Sequence, residues 1–455
     1  MSTDVPGLEE EARARLAGRI VLFRSFGKLA FAHLQDRRGR VQVAFTLDEL
    51  GEEGMARAQE IALGDIVGVD GMRWTTRKGE PTVRVTSWQL LQPTRTGFPD
   101  KWVGVTDVET RLRKRYLELA LDPGARQRFL RRTRIVDALR ETLNELDFLE
   151  VETPVLQPAA SGASARPFVT HHNALDIDLY LRIAPETYLK RLVAGQLDRV
   201  YEIARCFRNE GLDPSHLQEF TMLEWYAAYW DYTDNMAFTQ RLLQRAAVAA
   251  TGSTGFAYQG QALDFGGDWP VIDYRTAIFD ATGIDLRAGD VEKLAASMHE
   301  RGIEVPESEE VSFARLADAL YKRTVRPSLV QPCFLVGHPK EMVPLARAND
   351  DDPTKLDMFQ VVANGWELAK GYSELVDPDE QRSRLRAQSR RDDEAMALEE
   401  DFIEAMQFGM APMSGVGVGV DRLTALLTDA PSVREVVLFP QMRATAAPAA
   451  GRPAP

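Results

Sequence analysis

Residues 199–226, RVYEIARCFRNEGLDPSHLQEFTMLEWY, constrain the fold more than any other stretch of this 455-residue chain. An alternating apolar run over residues 200–207 gives way to Arg208-Asn209-Glu210 and a Gly/Asp/Pro loop, and a second apolar run starts at Phe220. Two such runs around a turn spell a β-hairpin. An arginine, an acid and His216 at its tip suit a polyanion carrying a planar base. Guanidinium pairs with phosphate or carboxylate, and a carboxylate accepts from an exocyclic amine. A surface hairpin with solvated charges has the same pattern.

The length exceeds that of one ordinary core, so two or more domains are expected. Hydrophobic residues at 44% and charged residues at 27% describe a soluble globular protein. No apolar run approaches the ~18 to 20 residues of a membrane span, so no membrane association is expected. The opening MSTDVPGLEEEARARLAG is polar and acidic with no apolar centre, which argues against a secretory signal. Cys206 and Cys333 are the only cysteines; they exclude a disulfide framework and a Cys-rich zinc site, and fit a reducing cytoplasm. The net charge of −13 argues against a general nucleic-acid coat, although residues 101–140 reverse the sign with 11 Lys/Arg against 5 Asp/Glu. That run reads equally as an RNA-facing patch or a solvated helix face.

Residues 1–16 read as a short charged helix. From Ala17 follow five short alternating segments, AGRIVLFRSFG, KLAFAHLQD, RGRVQVAFTL, GDIVGVDGMRWTT and PTVRVTSWQLLQP, with Gly/Asp-rich turns. This spacing predicts a small Greek-key barrel of OB type over residues 1–98. Arg24, Phe31 and Gln42 lie on or beside its binding strands, where they can stack on and hydrogen-bond unpaired bases; Phe31 reads alternatively as core. Residues 99–125, with Pro99 and Pro123, form a linker of basic helical turns. Residues 126–147 carry Phe129, Ile135, Val136, Leu139, Leu143 and Leu146 at helical spacing, then FLEVETPVLQP reads as a strand halted by proline. Helical patterns return at 236–250, at 286–325 as an insertion, and at 381–408. Late strands fall at Cys333–Val336 and Met358–Ala363, and VREVVLFP closes the core. The second domain so defined spans 126–445, and the Ala/Pro-rich residues 446–455 form a disordered tail.

Residues 415–422, GVGVGVDR, lack the strand–helix repeat of a dinucleotide-binding unit. They read instead as a strand whose glycines let a base approach, running into a helix that Asp421 caps and from which Arg422 projects to phosphate or base. His171 and His172 are adjacent on a strand and point to opposite faces, so they read as structural contacts and not a metal pair.

Taken together, the FRNEG…HLQEFTMLEWY hairpin, GVGVGVDR through LFPQMR, and above all SGASARPFVTHHNALDIDLYLRIAPETYLKRLVAG resemble the bacterial-type lysyl branch of the class II aminoacyl-tRNA synthetases, over residues 10–443. The helix from Arg126 and the ETP at 152–154 resemble the first class II motif, which forms the dimer interface in that family. Neither class I signature, HIGH or KMSKS, occurs. The resemblance implies an α+β fold: an N-terminal OB-fold β-barrel that binds the anticodon, here through Arg24, Phe31 and Gln42, followed by a catalytic antiparallel β-sheet flanked by helices. It also implies a cytoplasmic homodimer acting on tRNA(Lys), ATP and L-lysine with Mg2+. Lysine would first form lysyl-adenylate and then pass to the terminal ribose of the tRNA.

By the same resemblance, Arg208 bridges the amino-acid carboxylate and the α-phosphate. Glu210 reads the adenine amine, Phe220 stacks on the ring, His216 meets the outer phosphates, and Arg422 lies on the other face of the base or on the γ-phosphate. Glu186 and the backbone near Gly162 hold the α-ammonium; Glu374, Glu224 and Tyr226 hold the ε-ammonium. Glu367 and Gln360 hold magnesium. Two positions depart from the family: Gln360 stands where an acid is usual, and Lys370 precedes Gly371 where the family writes asparagine. Lys370 keeps open a paralogue that activates another amino acid or delivers it to a non-tRNA acceptor, and Gln360 keeps open a non-catalytic tRNA-binding protein.

Overall fold

The computed structural model describes residues 12–98, 106–163, 165–211, 213–306, 312–389 and 399–443. Two compact units divide at Ala125/Arg126. In the first, β1 (Arg13–Ser25), β2 (Leu29–Gln35), β3 (Arg40–Thr46), β4 (Ile66–Thr75) and β5 (Pro81–Gln92) close a barrel in the order β1-β2-β3-β5-β4. The charged helix expected over residues 1–16 does not form from Arg13 onward; residues 1–11 lie outside the described residues. The segment is extended because β1 pairs along β4 from Arg13 to Arg19, and Arg15 meets its cross-strand neighbour Asp70 at 2.9 Å. A ladder and an ion pair outweigh local helix preference there.

Alternation along β2 sends Ala30, Ala32 and Leu34 inward and leaves Leu29, Phe31 and His33 half-buried on the outer face. Phe31 is therefore not core. Arg24 pairs across from Phe31 and Gln42 across from His33, so the three sit on one outer face of β1–β3. Gln42 also donates to the Thr82 hydroxyl at 2.8 Å. After the barrel, the helices Val108–Arg113 and Arg115–Leu121 hold much of the basic run, and its arginines are paired: Arg111 and Arg115 with Glu118, Arg113 with Glu109.

The second unit starts its core with the helix Pro123–Asn144, whose Ile135, Leu139 and Leu143 are fully buried. Its strands are β6 (Leu149–Glu150), β7 (Leu156–Gln157), β8 (Val169–His172), β9 (Ile177–Leu181), β10 (Arg199–Phe207), β11 (Glu219–Ala228), β12 (Gly255–Tyr258), β13 (Gln261–Asp264), β14 (Val271–Asp273), β15 (Cys333–Val336), β16 (Met358–Ala363), β17 (Trp366–Ser373) and β18 (Met413–Gly419). The main sheet runs β14-β15-β16-β17-β18-β11-β10-β6. Its neighbours from β15 to β10 pair antiparallel, and β14 and β6 add in parallel at the two edges. Antiparallel partners on both sides of β18 rule out a dinucleotide-binding βαβ unit there.

One face of the sheet packs on the helices Pro123–Asn144, Tyr232–Thr251 and Val420–Leu427. Leu223, Trp225, Val416, Val418 and Phe359 point into this core with Leu139, Phe238 and Leu242. Trp225 needs a polar partner for its indole N–H, which donates to Asn235 at 2.9 Å, and Asn235 in turn donates to the Ser414 hydroxyl at 2.8 Å. The expected 286–325 insertion contains the helices Val291–Glu300 and Phe313–Thr324, which share a separate core with Tyr274, Ile278 and Leu335. Within 381–408 the helices Pro378–Ser389 and Glu400–Gln407 flank residues 390–398, and the Ala/Pro tail starts beyond Arg443; both segments lie outside the described residues.

The two faces of the barrel predict different costs for two phenylalanines. Phe45 is fully buried and edge-on to Trp88 at 6.0 Å, so Phe45→Ala should cost about 3–5 kcal/mol, whereas Phe31→Ala should cost under ~1 kcal/mol. Denaturant unfolding of the intact chain, monitored through the barrel tryptophans Trp74 and Trp88, separates the two.

Candidate active site

The face of the sheet opposite the core carries a cavity of about 370 Å³, in the range of small-molecule sites. Its floor follows from a period of two. Along β18 the valines Val416 and Val418 enter the core, so Gly415, Gly417 and Gly419 share the other face; Gly417 and Gly419 line the cavity, and Gly415 lies under the Tyr226 ring. Register then places Tyr226 and Tyr372 on either side of Gly415, Glu224 and Lys370 on either side of Gly417, and Met222 beside Gly419. A Cβ on Gly415 would lie 2.2 Å from Tyr226 Cε1, so only glycine leaves that ring its place.

At one end of the cavity stand Arg208, Glu210, His216, Phe220, Glu367 and Arg422. The hairpin tip is tied by its own backbone: Arg208 N–H donates to Gln218 O at 2.9 Å, and the Gln218 amide donates to Glu210 O and Gly211 O at 3.0 and 3.1 Å. The Arg208 guanidinium lies 5.1 Å from the Phe220 ring centroid, and its Nε is buried with no hydrogen-bond partner. A buried orphan donor on a fixed cation marks a place for an anion. His216 Nδ1 sits 2.6 Å from Asp213, and its Nε2 is 2.8 Å from Arg422 Nη2, from which it accepts.

Asp421 does not cap the helix Val420–Leu427, as the sequence suggests; Gly419 holds the N-cap position without a side-chain bond. The Asp421 carboxylate instead accepts from Thr221 N–H at 2.9 Å and pairs with Arg132 at 2.6 Å. It joins β11, the start of that helix and the long helix Pro123–Asn144, and so fixes the point from which Arg422 projects.

The other end holds buried acids. Glu186 opens the helix Glu186–Ala194 and lines the cavity, with Gly162 above it. Gly162 has φ 87° and brings its Cβ position within 3.3 Å of Glu186 Cβ, a fit for glycine on both counts. Glu224 lines the same end. Burial, then the charge of Glu186, pushes its carboxyl up to about 8, against the pull of Arg208 and Lys190. Glu374 and Tyr226 stand behind this wall. Burial raises Glu374 well above the carboxylate range, more than Lys190 pulls it down.

Lys190, which sequence reasoning missed, is fully buried among these acids. Its ammonium is 2.6 Å from Glu186 Oε1 and pairs with Glu374. Burial pulls Lys190 down, but the charges of Glu186 and Glu374 outweigh it and hold the amine above its ordinary value. Its Glu186/Lys190 spacing of four on a helix was the available signal. Tyr372, also missed, donates its hydroxyl to Glu186 Oε1 at 2.7 Å.

Gln360 lies on β16 directly across from Lys370 and donates its amide N–H to Glu367 at 2.7 Å. Its oxygen accepts from His338 Nε2 at 3.1 Å. Burial drops His338 to about 3, so the ring stays neutral, and a carboxylate on the other side needs a donor; the amide therefore has one workable orientation. Glu367 presents its carboxylate to this part of the cavity. Lys370 lines the cavity and makes no hydrogen bond or ion pair among the described residues. His171 contacts Asp178 at 2.9 Å on an exposed hairpin, and among the described residues no cluster of three His, Cys, Asp or Glu is placed to hold a metal.

Residues 107–443 match the family of class II tRNA synthetases (D, K and N), and residues 14–91 match the OB-fold nucleic acid binding domain. The chain is 43% identical over 433 residues to a lysine–tRNA ligase of Carboxydothermus hydrogenoformans, covering 94% of this chain and 88% of that protein. It is 43% identical over 442 residues to a lysine–tRNA ligase of Bacillus subtilis, covering 96% and 88%. A lysine–tRNA ligase of Staphylococcus saprophyticus is 42% identical over 442 residues, with the same coverage.

The glycine floor is testable. Gly415→Ala should destabilise the fold by about 1–3 kcal/mol through the Tyr226 clash. A Cβ on Gly417 would meet Glu224 and Met222 at 3.6 Å, ordinary contact, so Gly417→Ala should keep its Tm while losing ligand affinity. Thermal unfolding with ATP binding by calorimetry reads both.

Proposed function

The chain belongs to the class II tRNA synthetases of the aspartate, lysine and asparagine group, and from that membership we propose that it is a lysine–tRNA ligase, which activates L-lysine with ATP and transfers it to tRNA(Lys). The observation that carries the choice among the three amino acids is the charge of the inner pocket. Glu186, Glu224 and Glu374 are buried there with one ammonium, Lys190. An aspartate side chain would add a fourth anion, and asparagine would leave the deficit of positive charge unfilled. Lysine brings two ammonium groups, and a buried carboxylate costs several kcal/mol by order of magnitude until a cation meets it.

In this reading the α-ammonium sits on Glu186 beneath Gly162, and the ε-ammonium reaches Glu224, Glu374 and Tyr226. Arg208, whose Nε has no protein partner, holds the lysine carboxylate against the α-phosphate. The carboxylate oxygen attacks phosphorus, the bond to the bridging oxygen breaks, and pyrophosphate leaves. The work is positioning and charge neutralisation. Phe220 and Arg422 sandwich the adenine, Glu210 accepts from its amine, and His216, fixed by Asp213, meets the departing phosphates. Magnesium, which takes one or two carboxylates together with phosphate oxygens, suits Glu367 and would supply charge neutralisation to the phosphates. The Gln360 amide N–H orients Glu367, and its oxygen, which accepts from His338 through one lone pair, would reach the metal through the other. A hydroxyl of the terminal ribose then attacks the lysyl carbonyl and releases AMP.

Arg24, Phe31 and Gln42 on the outer barrel face are the anticodon contacts in this proposal, with Phe31 stacking on a base. Exposed apolar residues Leu149, Val155 and Leu156, just after the helix Pro123–Asn144, support a homodimer formed there. The buried free thiols of Cys206 and Cys333 favour the cytoplasm. No helix among the described residues is long and apolar enough to cross a membrane. Lys370 is the one feature that favours another amino acid, because it places a cation one strand from Glu224 across Gly417.

Pyrophosphate exchange with each amino acid decides between these readings: lysine alone should support it, and exchange driven only by another amino acid would assign a different ligase. Arg208→Ala should lower lysine-dependent exchange by ~10³-fold or more while the fold persists. Phe31→Ala should spare exchange and lower tRNA charging by about tenfold; equal losses in both steps would refute the anticodon role. The pH dependence has a definite sign. Because the empty Glu224 carboxyl titrates at about 8, it must shed a proton to receive an ammonium. Lysine Kd should therefore fall by up to about tenfold per pH unit as pH rises toward that value, and Glu224→Gln should flatten the slope. Calorimetric titration across pH checks this, with proton release read from buffers of different ionisation enthalpy.

A further inference from the structure

We propose that Lys190 is a positioning residue that fixes the separation of the two ammonium-binding carboxylates, and so makes the pocket measure side-chain length. This inference rests on the lysine reading above and goes beyond it by assigning a specificity role to a residue that reaches no substrate.

Glu186 and Glu374 come from distant parts of the chain, a helix start and the segment after β17, and one ammonium joins them. Lys190 Nζ lies 2.6 Å from Glu186 Oε1 and pairs with Glu374 Oε2. Tyr372 donates to the same Glu186 oxygen at 2.7 Å, and Glu374 is pinned by its backbone N–H to Met413 O at 2.9 Å. Each carboxylate thus gives one oxygen to the brace and keeps the other. Glu374 Oε1 is buried with no partner, aimed to within 2.8 Å of where a Cβ on Gly415 would stand. The brace itself has no room to swing: the rings of Tyr226, Tyr372 and Phe402 lie 5.9, 5.6 and 5.8 Å from Nζ.

A purely structural ion pair needs one acid for one base. Here two acids share a single buried base and a third, Glu224, stands beside them, an arrangement that is costly unless further cations arrive. Glu186 lines the cavity and Glu374 Oε1 stands unpartnered just behind its wall, so a ligand with a positive charge at each end would satisfy both, its charges held apart by the distance that Lys190 sets. A diammonium amino acid one methylene shorter would satisfy one carboxylate and leave the other unpaired.

The test is pyrophosphate exchange by the full chain with L-lysine and L-ornithine. Lys190→Met should lower the lysine-over-ornithine ratio of kcat/KM by ~10-fold or more, raise KM for lysine, and leave KM for ATP within ~2-fold. Lys190→Arg keeps the buried charge and should also lose the ratio, because a planar guanidinium cannot take the place of a compact ammonium between two carboxylates. It carries the test alone if Lys190→Met does not fold. An unchanged ratio in a folded variant, or equal losses in KM for lysine and ATP, would overturn the brace while leaving the lysine reading intact. A wild-type chain that exchanges with neither amino acid would overturn both.

Discussion

The pairing of β18 between β11 and β17 is the constraint on which the site depends. One strand serves two masters by alternation: Val416 and Val418 seal the hydrophobic core, while on the opposite face Gly415 makes room for the Tyr226 ring and Gly417 and Gly419 leave the cavity open. A slip of one residue would put valines into the cavity and glycines into the core, losing the burial of each valine at about 1.5–3 kcal/mol apiece. The same register decides which side chains flank the empty floor. The triad of Arg132, Asp421 and Thr221 then fixes the exit of β18 into its helix, which is how Arg422 comes to overhang the hairpin tip.

Two kinds of electrostatics share the cavity. Its outer end carries two guanidinium groups, that of Arg422 held by the carbonyls of Ser215 and Glu367 and that of Arg208 lying over the Phe220 ring with its Nε unpartnered. Its inner end concentrates carboxylates in a region shielded from water, where they repel each other and rise in pKa. Such a pocket lowers stability when empty and recovers it when cations enter. The extensive core around Trp225, Phe238 and Leu242 on the far side of the sheet offsets that cost.

Much of this organisation was legible in the chain. The barrel segments, the long helix with Ile135, Leu139 and Leu143, and the hairpin of residues 199–226 announce themselves by period, because each has one face in a core and one outside it. Arg208, Glu210, His216 and Phe220 stand together because a hairpin tip keeps sequence neighbours near in space. The extended conformation from Arg13 was hidden, since it is imposed by β4 fifty residues away. Asp421 looked like a cap because its true partners, Thr221 and Arg132, are distant in sequence. Lys190 looked like one more charge on a helix.

The sequence by itself determined which residues face a core and which can carry charge, because alternation and helical spacing are local properties of the chain. It also placed an arginine and an acid together at a hairpin tip. Only the tertiary structure decided who stands opposite whom: that Glu224 and Lys370 flank Gly417, that His338 occupies the Gln360 oxygen, and that one buried ammonium ties Glu186 to Glu374. These are consequences of strand register and of contacts between segments that are not neighbours in the chain. A charge acquires its meaning from the partners it is buried with, and no local pattern records them.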